Sequence, residues 1–143
     1  MTIREAKLED AEAINQLNTY PLKHEYPLEE AKRQLRYLLS SPTNKVFVHV
    51  IEEKVVGYIQ LSEYVCTYGP KLMNVMALVV NEDIHGHGIG RSLLNHAELW
   101  AKENNAEGIR LNSGVERTEA HKFYEHQGYK RVKNQVNFRK LFD

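Results

Sequence analysis

The chain has 143 residues, close to the commonest domain size, so a single domain spanning residues 1–143 with a hydrophobic core is expected. Hydrophobic residues make up 42% and charged residues 27%, which places the chain among ordinary soluble globular proteins rather than disordered or membrane-embedded ones. Nineteen Lys plus Arg balance nineteen Asp plus Glu, so no whole-chain field would draw in nucleic acid or an anionic membrane, and neither is expected as a partner.

The opening Met-Thr-Ile-Arg-Glu lacks the apolar core of a signal peptide and no stretch approaches spanning length, so a cytoplasmic address is expected. A short strand over Thr2 to Ala6 precedes a helix from about Leu8 to Asn18, with Leu8, Ala11, Ile14 and Leu17 near one side. Tyr20-Pro21 breaks it. After Pro27 a second amphipathic helix places Leu28, Ala31, Leu35, Leu38 and Leu39 on a shared face. Pro42 ends that helix, and three strands follow at Val46 to Ile51, Val55 to Glu63 and Leu72 to Asn81. The last is nearly all apolar, as expected of a central strand covered on both faces. Cys66 lies in the connection before it and is the only cysteine, which excludes an internal disulfide and a cysteine metal cluster.

The second half alternates in type. A helix from about Gly88 to Asn104 carries Ile89, Leu93, Ala97 and Trp100 on one stripe. Then come a strand at Gly108 to Asn112 and a helix from about Arg117 to Gln127, with Gly128 placed as its C-terminal cap. Tyr129 to Lys133 and Val136 to Leu141 are expected as closing strands. The whole reads as a mixed α/β layer fold.

The chemistry points to His85-Gly86-His87-Gly88-Ile89-Gly90, where an apolar strand feeds a glycine loop and the loop opens a helix. N–H groups of a first helical turn have no internal partner, and the macrodipole adds positive charge there. Glycines let phosphate oxygens approach those groups with no Cβ in the way. A Walker loop is excluded because Gly-Lys-Ser/Thr is missing, and a dinucleotide fingerprint because the glycine spacing is single throughout.

Leu78 to Leu94 resembles motif A of the GNAT family of N-acetyltransferases, with Leu-x-Val at Leu78 to Val80 and the loop glycines at Gly86, Gly88 and Gly90. Ala120 to Tyr129 resembles motif B of that family, Val56-Gly57-Tyr58-Ile59 its third strand, and Thr2-Ile3-Arg4 with Asp10-Ala11 its opening. His85 stands where the family has Gln or Arg, Glu82 replaces a common proline, and Arg117 replaces a common asparagine.

The resemblance implies a mostly antiparallel mixed sheet flanked by helices and splayed between its fourth and fifth strands. It implies acetyl-CoA as cosubstrate and direct acetyl transfer to a primary amine. Leu78, Val80, His85, Gly86, His87, Gly88, Gly90, Arg91 and Ser92 are then the cofactor-binding set. Arg117 either reaches the cofactor or pairs with Glu116. An alkylammonium of pKa about 10.4 must lose a proton before attacking, and Glu63 either serves as that base or is an ordinary strand-end carboxylate. Tyr124 matches the residue that assists the leaving thiolate; otherwise it is a packed helix aromatic. Glu25, Tyr26 and Glu29 lie in the segment that lines the family's acceptor site. No metal site is expected, since His121 and His126, five apart on a helix, fall on different faces. The acceptor is expected to be a small-molecule amine, with a protein amine or a non-catalytic acyl-CoA sensor as alternatives, and a homodimer is possible.

Overall fold

Strands and helices form close to where periodicity and caps place them in the computed structural model, which describes residues 2–143. Two compact units divide the chain, one running to Leu111 and the other covering Asn112–Asp143.

In the first unit, β1 (Thr2–Glu5) leads through a 3-10 turn at Leu8–Asp10 into α1 (Ala11–Thr19). Asp10 organises this junction. Its carboxylate accepts from the Lys7 N–H at 2.8 Å and from the Arg4 guanidinium at 2.8 Å. Burial alone would raise its pKa, but the Arg4 and Lys7 hydrogen bonds together hold it below the usual carboxylate range. Next come α2 (Leu28–Ser40), β2 (Asn44–Ile51), β3 (Lys54–Tyr64), β4 (Leu72–Val80), α3 (Ile89–Glu103) and β5 (Ile109–Leu111).

The strands line up in chain order, β1-β2-β3-β4-β5. All neighbours are antiparallel except β4 and β5, which run parallel because α3 crosses between them. One sheet face packs on α1 and α2, where Ala11, Leu17 and Leu35 meet Val46, Val48, Tyr58 and Val79. The opposite face receives α3: the Phe47 ring lies edge-on to His96 at 4.5 Å between centroids. Gly57 lets α3 and the strands close up. A Cβ there would stand 3.0 Å from the Val79 carbonyl and 3.3 Å from Leu93 Cδ1.

The second unit holds one helix, α4 (Thr118–His126). Here the structure corrects the sequence reading: Tyr129 to Lys133 and Val136 to Leu141 are not strands, and no residue after His126 belongs to a helix or strand. Strand propensity describes a side chain's fit to a pleated surface, and a strand still needs a neighbouring backbone to bond. Among the described residues no helix is long and apolar enough to cross a membrane.

Candidate active site

The second half of β4 is an unusual piece of sheet. β5 pairs with it only from Met73↔Ile109 to Val75↔Leu111. From Met76 onward β4 has β3 alone, so the expected divergence of the two strands is present. At the same point the register with β3 shifts between Gln60 and Leu61, which leaves Met76 opposite no residue. Such a bulge locally re-aims the strand.

The pairing fixes where the backbone groups beyond the bulge point. Asn81 N–H donates to the Val56 carbonyl at 2.8 Å, making that a bonded pair. Antiparallel positions alternate between bonded and non-bonded. Leu78 and Val80 therefore direct their N–H and C=O groups away from β3, towards the side that β5 has left. On that side His85 Nε2 lies 3.2 Å from the Val80 carbonyl, so the imidazole N–H donates to it.

The glycine loop follows through a second 3-10 turn, Glu82–Ile84, started by the Asn81 side chain accepting from the Asp83 N–H at 2.9 Å. Gly86 has φ +89° and Gly88 φ +75°, both left-handed, and a Cβ at either would meet nothing within 4 Å. The backbone thus lies open where a side chain would otherwise stand. Gly88 is the N-cap of α3 and supplies no side-chain cap, so the N–H groups of the first turn remain available to an anion. His87 donates Nδ1–H to the Ile84 carbonyl across 3.1 Å. Both histidine rings are thus turned back onto the loop's own carbonyls, bracing it. Gly90, Arg91 and Ser92 lie in the first turn of α3, and the Ser92 N–H closes that turn on the Gly88 carbonyl at 3.0 Å. Diphosphate oxygens fit this donor set.

On the α1 and α2 face a cleft of about 140 Å³ is lined by Asn15, Asn18, Tyr26, Gln34, Tyr58 and Gln60 among others. Gln60 is paired with Ala77, next to the bulge. Burial pushes the Tyr58 phenol up to about 12, opposed by its hydrogen bond to the Asn18 side chain, so it remains a donor at neutral pH. Tyr26 lines this cleft, whereas Glu25 does not and Glu29 reaches Lys32 at 3.5 Å. Further along β4, Arg110 on β5 donates to Asn74 Oδ1 at 2.5 Å and stacks 4.2 Å above the Tyr64 ring. Periodicity gave no sign of the Met76 bulge or of this arginine contact. Gly57, a glycine inside a strand pattern, was a legible mark of close backbone approach.

Glu63 is not brought to this cleft. Paired with Met73, it lies seven residues of β4 from Val80, roughly 23 Å at strand rise. Its carboxylate is held at 2.9 Å by Lys71, which also donates to the carbonyl of Asn104 at 2.8 Å, at the C-terminal end of α3.

Within the second unit, the C-terminal cap of α4 fixes Tyr124. Gly128 takes φ +94°, and the N–H groups of Gly128 and Tyr129 return to the carbonyls of Glu125 and Tyr124 at 3.1 and 3.0 Å. This is a Schellman cap, completed by the Tyr124 and Tyr129 rings 6.1 Å apart. Burial raises the Tyr124 phenol above its ordinary pKa, with the nearby Arg117 charge pulling the other way. Arg117 is the N-cap of α4, and His121 Nε2 secures the preceding loop by donating to the Gly114 carbonyl at 2.8 Å. Among the described residues no three His, Cys, Asp or Glu side chains are grouped to hold a metal ion.

A mixed α/β sheet whose central strand loses one neighbour, bulges, and then delivers a glycine loop to a helix N-terminus defines an acyl-CoA transferase type of architecture. The family model described as "Acetyltransferase (GNAT) family" matches residues 8–129, and the chain belongs to that family. It is an N-acetyltransferase. A curated relative, aminoalkylphosphonate N-acetyltransferase of Salmonella typhimurium, is 29% identical over 129 residues, covering 90% of this chain and 84% of the relative. The crystal structure of a transcriptional regulator from Bacillus halodurans has the same fold, with TM-score 0.87, 24% identity and coverage of 97% of this chain and 99% of the other. AAC(6')-Iy, solved with the bisubstrate analogue CoA-S-monomethyl-acetylneamine, also shares it, with TM-score 0.85, 16% identity and coverage of 99% and 98%.

Proposed function

We propose that this enzyme takes acetyl-CoA as cosubstrate and transfers the acetyl group directly to a primary amine of a small molecule, in the cytoplasm. The observation that carries the reading is the loop at Gly86 and Gly88, two left-handed glycines with empty space beside them, opening α3 beside the unpaired half of β4. In this reading the first-turn N–H groups of α3, with Gly86, His87, Gly88, Gly90, Arg91 and Ser92, bind the diphosphate. The outward backbone groups of Leu78 and Val80 bond the pantetheine arm and the thioester oxygen, where negative charge develops during attack. His85 supports the cradle through the Val80 carbonyl, and Arg117 is assigned to the cofactor-binding set for the positive charge it carries.

Tyr124 assists departure of the thiolate. Its raised pKa keeps the phenol protonated at neutral pH, but it also makes full proton transfer to a thiolate of ordinary pKa about 8.5 more uphill. The hydroxyl therefore acts chiefly by donating a hydrogen bond that strengthens as sulfur gains charge. Glu63, bound by Lys71, is assigned no proton transfer. The similarity to an aminoalkylphosphonate acetyltransferase and to the fold of an aminoglycoside enzyme supports a small amine as acceptor. The uncharged amide and phenol lining of the α1–α2 cleft suits a hydroxylated or compact acceptor.

The test is thiol release from acetyl-CoA across aminoalkylphosphonates, aminoglycosides, polyamines and lysine peptides. Turnover with a small amine is expected. Turnover with peptides alone would move the acceptor class to protein, and CoA binding without any turnover would leave a sensor.

A further inference from the structure

The gap between β4 and β5 has a closed end. Their pairing stops at Val75↔Leu111, and Met76 is the first residue of β4 beyond it. On the cofactor reading above, a pantetheine arm leaves the diphosphate at the glycine loop and follows β4 back past Val80 and Leu78. Its thioester then arrives at the closed end, beside Met76. The bulge gives this residue its freedom: Met76 has no partner on β3, and it is 57% exposed whereas Val75 next to it is buried. Much of its apolar side chain is therefore uncovered by protein where a small acyl group would lie.

The thioether is nevertheless held. Asn74 Nδ2 donates to Met76 Sδ at 2.9 Å, and Asn74 Oδ1 accepts from Arg110 at 2.5 Å. A guanidinium can only donate, so it claims the amide oxygen and leaves the amide N–H to face the sulfur. Arg110 is itself stacked on the Tyr64 ring. Methionine is otherwise an adaptable side chain with three rotatable bonds. A tether running across three strands removes that adaptability, although an exposed methionine has no packing role that would need it.

The face on which this happens also matters. Asn74 pairs with Ser62, which lies two residues from Gln60 and so on the same face of β3. Gln60 lines the α1–α2 cleft. Asn74, and the sulfur it holds, therefore stand where the closed end of the gap meets the face that carries that cleft.

We propose that Met76 gauges acyl length: its side chain walls the closed end so that an acetyl group fits and a chain two methylenes longer does not. Asn74 is the positioning residue that keeps the wall in place. The inference rests on the acetyl-CoA reading and adds to it the residue that selects a two-carbon acyl group.

Calorimetric titration of the full chain with CoA, acetyl-CoA and butyryl-CoA tests this without any acceptor. The wild type is expected to bind butyryl-CoA at least about 10-fold more weakly than acetyl-CoA, since a fixed apolar wall discriminates by roughly that much per methylene. Met76→Ala removes Cγ, Sδ and Cε, more than butyryl adds, so the two affinities should come within about threefold of each other. Asn74→Ala frees the wall without removing it and should give an intermediate ratio with CoA affinity as in wild type; a wild-type ratio there would overturn its positioning role. Met76→Phe, which serves if the alanine variant does not fold, should weaken acetyl-CoA relative to CoA. Equal binding of butyryl-CoA and acetyl-CoA by the wild type overturns the proposal, as do wild-type ratios in both Met76 variants. The cosubstrate reading survives those results as long as CoA itself binds, whereas a wild type that binds no CoA loses both.

Discussion

Replacing Gly88 with alanine separates what the glycine loop does for the fold from what it does for a ligand. Gly88 has φ +75° and ψ 14°, and its absent Cβ would touch no protein atom within 4 Å. The cost to stability is therefore conformational and not steric, about 1–2 kcal/mol for an L side chain held left-handed. For a chain of this size each kcal/mol shifts Tm by roughly 3–4 °C, so a fall of about 3–8 °C is expected. The methyl would occupy the volume proposed for a phosphate oxygen. Losing one charge-assisted hydrogen bond costs about 1.5–3 kcal/mol, or roughly 10- to 100-fold in Kd. Calorimetric titration with CoA, well below the lowered Tm, measures this directly. Gly128→Ala is the matched control, since Gly128 also has a left-handed φ, +94°, and empty space beside it. It should lower Tm by a similar amount and leave CoA affinity alone. Unchanged CoA affinity in folded Gly88→Ala would refute the cradle.

Tyr124→Phe keeps the ring and its contacts with Phe123 and Tyr129. Single-turnover rates should fall by about 10- to 100-fold, below the ~10²- to 10⁴-fold typical of a general acid, with CoA affinity unchanged; a wild-type rate returns the residue to packing. Glu63→Gln should leave kcat within a few-fold, because the carboxylate is engaged by Lys71; a loss beyond ~10²-fold, the mark of a general base, would restore that role. His49 is buried with Nδ1 unpartnered, and desolvation by burial lowers its pKa. The unfolded chain then takes its proton first, so stability is complete above about pH 6.5 and declines as pH falls from there. Melting curves from pH 7.5 to 5.5 should slope less in His49→Phe than in wild type, and equal slopes would remove His49 as the cause.

Element types were legible wherever one residue's neighbours in sequence decide its conformation. Pro27 opens α2 and Gly128 closes α4, because the first has a fixed φ and the second tolerates a positive one. The glycine loop could be found because strand, loop and helix are contiguous. Face assignments were not legible. Shifts between His49 and Val50 on β2, and between Gln60 and Leu61 on β3, change the parity of the pairing. Alternation counted through such points therefore misplaces the side chains beyond them. Leu72 to Asn81 is apolar almost throughout, so no polar residue marks Met76 as the bulge. Glu63 looked available because its partner Lys71 is eight residues away, across a connection whose path only the fold defines. The closing strands failed for another reason: their pattern is that of a strand, but a pattern does not supply the neighbouring backbone.

The order in which the sheet is laid down has a consequence for how the chain acquires its shape. Strand neighbours follow chain order. Glu52 and Glu53 alone turn β2 into β3, so that hairpin closes at small entropic cost. The join from β3 to β4 is also local. Pairing β1 with β2 must instead wait until residues 6–43 have been gathered, and pairing β5 with β4 until residues 81–108 have been gathered and α3 has docked, which makes these two the slow closures in the first unit. The β2–β3–β4 meander is thus set to form early, and the glycine loop is ordered among the last parts of the sheet to consolidate. A substitution in the meander should change the folding rate, whereas one in the loop should show mainly in the rate of unfolding.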